Sequence, residues 1–443
     1  MRQTVRQVLH HPASNDILGK TVEVCGWLRT RRGKGNFAFL VIGDGSCQAS
    51  LQVVVDAETR CQPSLNMFAT GVALKVRGIV QASRGQQDLE LLAKEAELIG
   101  TCPQDYPLQK KGHTLEFLRQ IAHLRARSNT FGAVFRIRHS ASHATHSFFH
   151  QQGFACVHTP IITPSDSEGA GELFTIKDGE NFFGTPAYLA VSGQLQLESA
   201  CLALQKVYTF APTFRAENSN TTRHLAEFWM LEPEVAFADL NAIADLAVSY
   251  LRYVSKQVLS ECRDDLLFLQ QHYEDLSLEA IEQMSNLQCE RITYTDAINL
   301  LQEAAKSTKR AFEFSPQWGN DLQTEHERYL TEEVFAGAVI VTDYPKSFKP
   351  FYMRANDDGK TVACMDLLLP KVGELIGGSE REERYEVLKS NCDMQWYLDL
   401  RRFGAAPTAG WGMGFDRLVQ YFTGMRNIRD TVLSPRAPDL IPF

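Results

Sequence analysis

Three stretches of this sequence gather charged groups beside apolar runs in a way that suits a polyphosphate and a flat heteroaromatic ring. In the first, the apolar run 207–214 leads into Arg215-Ala216-Glu217. A polar loop follows through Arg223-His224, and a second apolar run opens at Glu227-Phe228. Read as a hairpin, its base holds one guanidinium, one carboxylate and one aromatic ring. Arg215 can grip a phosphate through parallel N–H bonds. Glu217 can accept from an exocyclic amine, Phe228 can stack on a base, and Arg223 and His224 can reach further phosphates. A salt-bridged solvent hairpin would look the same in isolation. The second stretch, 365–384, ends a strand at Asp366 and brings Glu374 after Gly373, then Gly377-Gly378-Ser379 and Arg381. Two carboxylates so spaced can share Mg2+ with phosphate oxygens, because that ion takes few protein ligands. The third, Gly410-Trp411-Gly412-Met413-Gly414-Phe415-Asp416-Arg417, leaves one strand face bare for a flat ligand and then starts a helix near Phe415, with Arg417 in its first turn. No P-loop, G-x-S-x-G elbow or H-E-x-x-H motif occurs.

These groups need a scaffold, and 443 residues with 44% apolar content suffice for two domains, one of them large. Residues 1–100 read as five short strands at 21–28, 37–42, 51–55, 73–80 and 89–99. Turn signals such as Asp44-Gly45-Ser46 separate them, which suggests an OB-fold barrel. The stretch 56–70 is expected to hold a plugging helix, and Val5, Val8 and Leu9 a leading amphipathic turn. Residues 101–125 carry Pro103, Pro107 and Lys110-Lys111-Gly112 and read as a hinge. Residues 126–443 mix helices and strands as an α+β domain. A helix over 134–149 puts Ile137, Ala141, Ala144 and Phe148 on one face and His139, His143, His146 and His150 on the other. With no carboxylate in that stripe, a solvated or subunit-contact face is favoured over a metal site. The ten cysteines form no C-x-x-C pair, so they read as idle thiols of a reducing cytosol. A net charge of −8 excludes a general basic coat while allowing local basic patches. No apolar run is long enough to span a bilayer, and a secretory signal is not expected in residues 1–15, which lack an apolar core segment.

Taken together the segments resemble the three signature motifs of the class II aminoacyl-tRNA synthetases. The helix ending in Thr159-Pro160 resembles motif 1. Phe214-Arg215-Ala216-Glu217 through Arg223-His224 and Glu227-Phe228 resembles motif 2, and Gly412-Met413-Gly414-Phe415-Asp416-Arg417-Leu418 resembles motif 3. A barrel ahead of this domain is similar to the subgroup for aspartate, asparagine and lysine. The resemblance implies an antiparallel sheet flanked by helices, a homodimer, ATP as substrate and Mg2+ held by Asp366 and Glu374. It implies that Arg215 meets the α-phosphate, Glu217 the adenine amine, and Arg223 and His224 the terminal phosphates. Phe228 and Arg417 would sandwich adenine, with Arg417 reaching the γ-phosphate. Arg215, Glu374 and Arg417 would carry the catalysis.

The choice of amino acid rests on one position. Aspartate members share Ser-x-Gln-Leu-x-Lys, whereas this chain reads Ser192-Gly193-Gln194-Leu195-Gln196-Leu197. Leu197 removes the cation that a substrate carboxylate needs, and a neutral amide tolerates that loss better. Longer stretches, such as Thr342-Asp343-Tyr344-Pro345-Lys346, also resemble asparaginyl-tRNA synthetases. By that resemblance Glu168 and Gln194 hold the substrate amino group, and Arg381 the side-chain oxygen. Partners are then L-asparagine and tRNA(Asn), in the cytoplasm, with an organelle left open. In the barrel, Phe39 would stack on an anticodon base, and Gln52 and Glu90 would bond base edges. Arg29, Arg31, Arg32 and Lys34 would meet phosphates. Without the resemblance Phe39 reads as a core residue. Departures from the family pattern fall at Thr408, Asp416 and 431–436. The alternatives are an aspartyl-tRNA synthetase-like enzyme, a relative that makes free asparagine and lacks the barrel, and a silent RNA-binding paralogue.

Overall fold

Alternation of buried and open side chains along residues 21–28 builds the first strand of a barrel, with Val22, Val24 and Leu28 inside. The computed structural model describes residues 2–10, 14–85, 87–165, 173–307 and 312–443. It divides into two compact units, residues 1–136 with 264–272, and residues 137–263 with 273–443.

In the first unit β1 (Thr21–Lys34), β2 (Phe37–Gly43), β3 (Leu51–Val55), β4 (Arg60–Gln62), β5 (Ala73–Ala82) and β6 (Leu89–Gly100) run in the order β3-β2-β1-β5-β6-β4. Pairing of β3 with β6 closes the five long strands into the expected OB-fold barrel. The leading turn is the helix Val5–Leu9, capped by Thr4 with Gln7, and it lays Val5 and Val8 on the barrel core. The plugging helix expected over 56–70 is absent. The short strand β4 and a single 3-10 turn, Leu65–Met67, take its place. Pro63 stands between them and supplies no backbone donor to a helix.

The second unit is built on an eight-stranded sheet. Its strands are β7 (Ala155–Cys156), β10 (Lys206–Phe214), β11 (Glu227–Ala236), β12 (Cys289–Thr293), β13 (Ala338–Thr342), β14 (Cys364–Leu369), β15 (Gly373–Glu380) and β16 (Thr408–Gly414). A separate ribbon pairs β8 (Ile162–Thr163) with β9 (Tyr188–Leu189). The order β12-β13-β14-β15-β16-β11-β10-β7 is antiparallel through its middle and parallel at both outer pairs. Every residue of β14 is buried, so it reads as a continuous apolar run broken only by Asp366. That residue is third in the strand, not at its end as expected.

Odd residues of β16 fill the back of the sheet. Trp411 packs against Tyr250 of the helix Leu240–Glu261, at 5.6 Å, and against Phe149 of the helix Asn129–Gln151, at 6.2 Å. On the latter helix Ile137, Ala141, Ala144 and Phe148 are buried and the four histidines are exposed. It ends at Gln151 rather than at Thr159-Pro160, because Gly153 takes φ +79° and the chain leaves as β7. Among the described residues no helix is long and apolar enough to cross a membrane.

Candidate active site

The register of three strands makes the site. Met230 pairs with Gly414 and Glu234 with Gly410, while Gly377 pairs with Gly412 and Ser379 with Gly410. Residues at these positions share one sheet face, opposite the buried Trp411. Over the bare part of this face lies a cleft of about 200 Å³. Arg215, Glu217, Arg223, His224, Phe228, Glu374 and Arg417 all line it, together with Gly412 and Gly414. The hairpin β10–β11 supplies the first five, with Thr213 opposite Phe228 in the ladder. Arg215 lies over the Phe228 ring at 5.4 Å. Glu217 and His224 approach to 3.6 Å, and the His224 ring is held by Ser219 and Thr221. Arg417 leaves the first turn of the helix Phe415–Thr423 and donates to the Glu374 carbonyl at 3.2 Å. Burial, then the neighbouring Arg417, pushes Arg223 below the usual guanidinium range. Asp416 faces away. It is ion-paired with Arg138 and accepts from the Trp229 N–H at 2.8 Å, tying the long helix to β11.

At the far end of the cleft the acids converge. A methyl group on Gly377 would lie 2.9 Å from Glu374 Oε1 and 3.3 Å from Asp366 Oδ1, so the glycine leaves a bare spot between two carboxylates. Burial and Asp366 together raise the Glu374 pKa. Two neighbours escaped the sequence reading. Lys349 Nζ bonds Asp366 at 3.0 Å. Glu327 accepts from the Glu374 N–H at 3.4 Å, and its pKa is raised to about 8, by burial first and then by Glu374 and Asp366.

Beside the cleft, Arg381 is 3% exposed and forms a forked pair with Glu234, at 2.8 and 2.7 Å. Burial works against charge on both groups: it prevails at Glu234, whose pKa rises to about 7, whereas Glu234 holds Arg381 above the usual guanidinium range. Ser379 accepts a third bond from Arg381, and the backbone of Thr408 accepts from the Arg381 N–H. Gln194 opens the helix Gln194–Leu204 and donates to Glu198 at 3.1 Å. Glu198 is fully buried and also takes Tyr397 and Arg401. Glu232 accepts from the Ser192 hydroxyl and the Gly193 N–H. Leu197 is fully buried in an apolar cluster with Cys201 and Val207. Glu168 lies outside the described residues.

The barrel holds its own cavity, about 850 Å³, lined by Arg32, Phe37, Phe39, Gln52, Arg84 and Glu90 among others. Glu90 is 6% exposed and accepts from Gln52 at 2.7 Å, Gln81 at 2.8 Å and Ser83 at 3.1 Å. Arg29 and Arg31 are not brought to this cavity. Arg29 donates to the Arg127 carbonyl and Arg31 to that of Leu65.

Residues 114–438 match the class II tRNA synthetases (D, K and N), and residues 22–99 match the OB-fold nucleic acid binding domain. The chain is 53% identical over 438 residues to the asparagine–tRNA ligase of Microcystis aeruginosa, covering 95% of this chain and 96% of that protein. It is 50% identical over 463 residues to the asparagine–tRNA ligase of Synechocystis sp., covering 99% and 98%. Its structure is similar to that of asparaginyl-tRNA synthetase from Pyrococcus horikoshii complexed with asparaginyl-adenylate, with a TM-score of 0.87, 31% identity, and 100% and 99% of the two chains covered. With a barrel, a cleft lined by the motif 2 and motif 3 segments, and relatives matched over nearly their whole length, the chain belongs to the asparagine–tRNA ligases among the class II tRNA synthetases.

Proposed function

We propose that the chain converts L-asparagine and ATP to asparaginyl-adenylate and pyrophosphate, then transfers asparagine to the 3′ end of tRNA(Asn). The observation that carries this is one cleft lined by all six ATP-binding candidates and by Glu374. Phe228 stacks on adenine, Arg417 covers its other face, and Glu217 accepts from the exocyclic amine. Arg215 takes the α-phosphate, and Arg223 and His224 the terminal phosphates. The asparagine carboxylate attacks the α-phosphorus in line, the bond to the bridging oxygen breaks, and pyrophosphate leaves with that electron pair. Fixed cations on the developing charge, with both reactants held in line, supply the rate. No protein nucleophile is required.

The bare spot at Gly377 between Asp366 and Glu374 suits Mg2+, which keeps few carboxylates and several substrate oxygens. When bound there the ion would neutralise phosphate charge. Asp366 and Glu374 would hold it, and Lys349 keeps Asp366 oriented.

Selection of asparagine is assigned to Arg381 and Glu234 acting together. Arg381 donates to the side-chain oxygen, and Glu234 accepts from the amide nitrogen. An aspartate carboxylate would set a second negative charge against Glu234 and find only a buried leucine at position 197. Gln194 and Glu168 hold the amino group. In the barrel, Phe39 stacks on an anticodon base beside Gln52 and Glu90, with Arg32 at the backbone. The chain works as a cytoplasmic homodimer, for which the exposed histidine face of the long helix and exposed Ile161 and Ile162 offer a contact surface.

ATP–pyrophosphate exchange with each amino acid tests the reading. Exchange with asparagine alone is expected. Exchange with aspartate would overturn the selection argument, and exchange with neither would leave an RNA-binding protein.

A further inference from the structure

Beyond Arg223 and Arg417 a second cavity of about 430 Å³ opens. These two residues line both spaces, and the second adds Arg328, Lys371 and Arg426 against one carboxylate, Asp275. Asp275 is taken by Arg426 at 2.5 Å, and Arg328 reaches Glu332 at 3.1 Å. Among the described residues no salt bridge engages Arg223, Lys371 or Arg417. The lining thus sets five cations against one carboxylate, and Glu327, Glu332 and Glu374, near Arg223, Lys371 and Arg417, offset only part of that charge from outside it.

Lys371 is a second and independent sign. It stands in the turn between β14 and β15 with φ +67°, a left-handed conformation that strains an L side chain and suits glycine. The turn is anchored at both of its backbone groups. The Lys371 N–H donates to Glu332 at 2.9 Å, and its carbonyl accepts from Arg223 at 3.4 Å. Here a strained lysine brings an ammonium to the cavity wall where a glycine would cost less.

We propose that this cavity is a pyrophosphate subsite. Pyrophosphate released beside Arg223 and Arg417 moves to Lys371 and Arg328 on its way out, and in the reverse reaction the same cations capture it. A trianion held by two cations leaves slowly unless others replace them in turn, and the shared walls provide that succession. The subsite rests on the proposed adenylation.

Lys371→Gly removes the cation and relaxes the turn, so loss of fold does not confuse the result. Titration calorimetry with inorganic pyrophosphate, on the full chain, is expected to show affinity falling about tenfold, the worth of one charge-assisted contact. The ATP KM in exchange should stay unchanged and the Tm should not fall. The double variant Lys371→Gly, Arg328→Gln should weaken pyrophosphate further. Unchanged pyrophosphate affinity in both variants overturns the subsite. So does an equal loss for ATP, because the cavity would then be only the γ-phosphate end of the cleft. Failure of the adenylation reading is seen separately, as wild-type protein that titrates pyrophosphate yet forms no adenylate with asparagine.

Discussion

Arg417 and Glu234 show how differently two charged residues of one site respond to truncation. Arg417 is half-buried, bonds a backbone carbonyl and favours the charged form of the buried Glu374, so Arg417→Ala removes a cation and lets the Glu374 pKa rise further. Exchange activity is expected to fall by about 100-fold or more, with the thermal melt unmoved. Retained exchange would take Arg417 out of the chemistry. Glu234 is 1% exposed and neutralises a buried guanidinium. Glu234→Gln strands Arg381 and should cost about 3 kcal/mol of stability, seen as a lower Tm. It should also raise the asparagine KM and narrow the preference over aspartate, measured as kcat/KM for each. An unchanged asparagine KM would place Glu234 outside the substrate. The two residues also differ in how far they could be read in advance. That Arg215, Glu217, Arg223, His224, Phe228 and Arg417 line one cleft was legible because each stands next to a turn and an apolar run in sequence. Glu234 was not, because its meaning depends on Arg381, 147 positions away, and Glu198 depends on Arg401, 203 positions away. Only strand and helix packing brings those pairs together.

On the scale of an element, β16 combines two uses of one pattern. Its alternating glycines were legible as a bare strand face, and Gly412 and Gly414 do line the cleft. Gly410 is different, since its bare space is filled by neighbours from β11 and from beyond β15, which the strand's own sequence does not reveal. A methyl group at Gly412 would meet only the end of the Met230 side chain, at 2.9 Å. Gly412→Ala is therefore expected to fold with a near wild-type Tm while raising the ATP KM. At Gly410 the methyl would press on the Pro233 carbonyl at 2.4 Å and on Glu234 at 2.1 Å. Gly410→Ala should cost about 1–3 kcal/mol through overpacking and raise the asparagine KM as the Arg381–Glu234 pair is displaced. Equal Tm values for the two variants would refute this division of the strand. The segment 56–70 shows the opposite limit, since its polar residues carried no periodicity strong enough to separate a helix from the short strand and turn that form there.

For the whole molecule, the two units allow the two halves of the reaction to be tested apart. By the proposed reading, adenylate formation draws on the cleft and on Arg381 and Glu234 beside it, all in the second unit. By the same reading the barrel cavity enters only when tRNA binds. Glu90 organises that cavity by accepting from Gln52, Gln81 and Ser83 at once, which fixes the Gln52 amide with its oxygen left for a ligand donor. Glu90→Gln keeps the size of the side chain but turns one acceptor into a donor facing donors. The mismatch should cost about 1–3 kcal/mol locally and let the Gln52 amide rotate. ATP–pyrophosphate exchange, measured without tRNA, should be unchanged. In aminoacylation the tRNA KM should rise about tenfold or more, each stacked or hydrogen-bonded base being worth about 1–3 kcal/mol. A variant that lost exchange and aminoacylation in parallel would show that the barrel acts on the cleft itself. One that kept the wild-type tRNA KM would move base reading away from Glu90 and Gln52 to other residues of the chain.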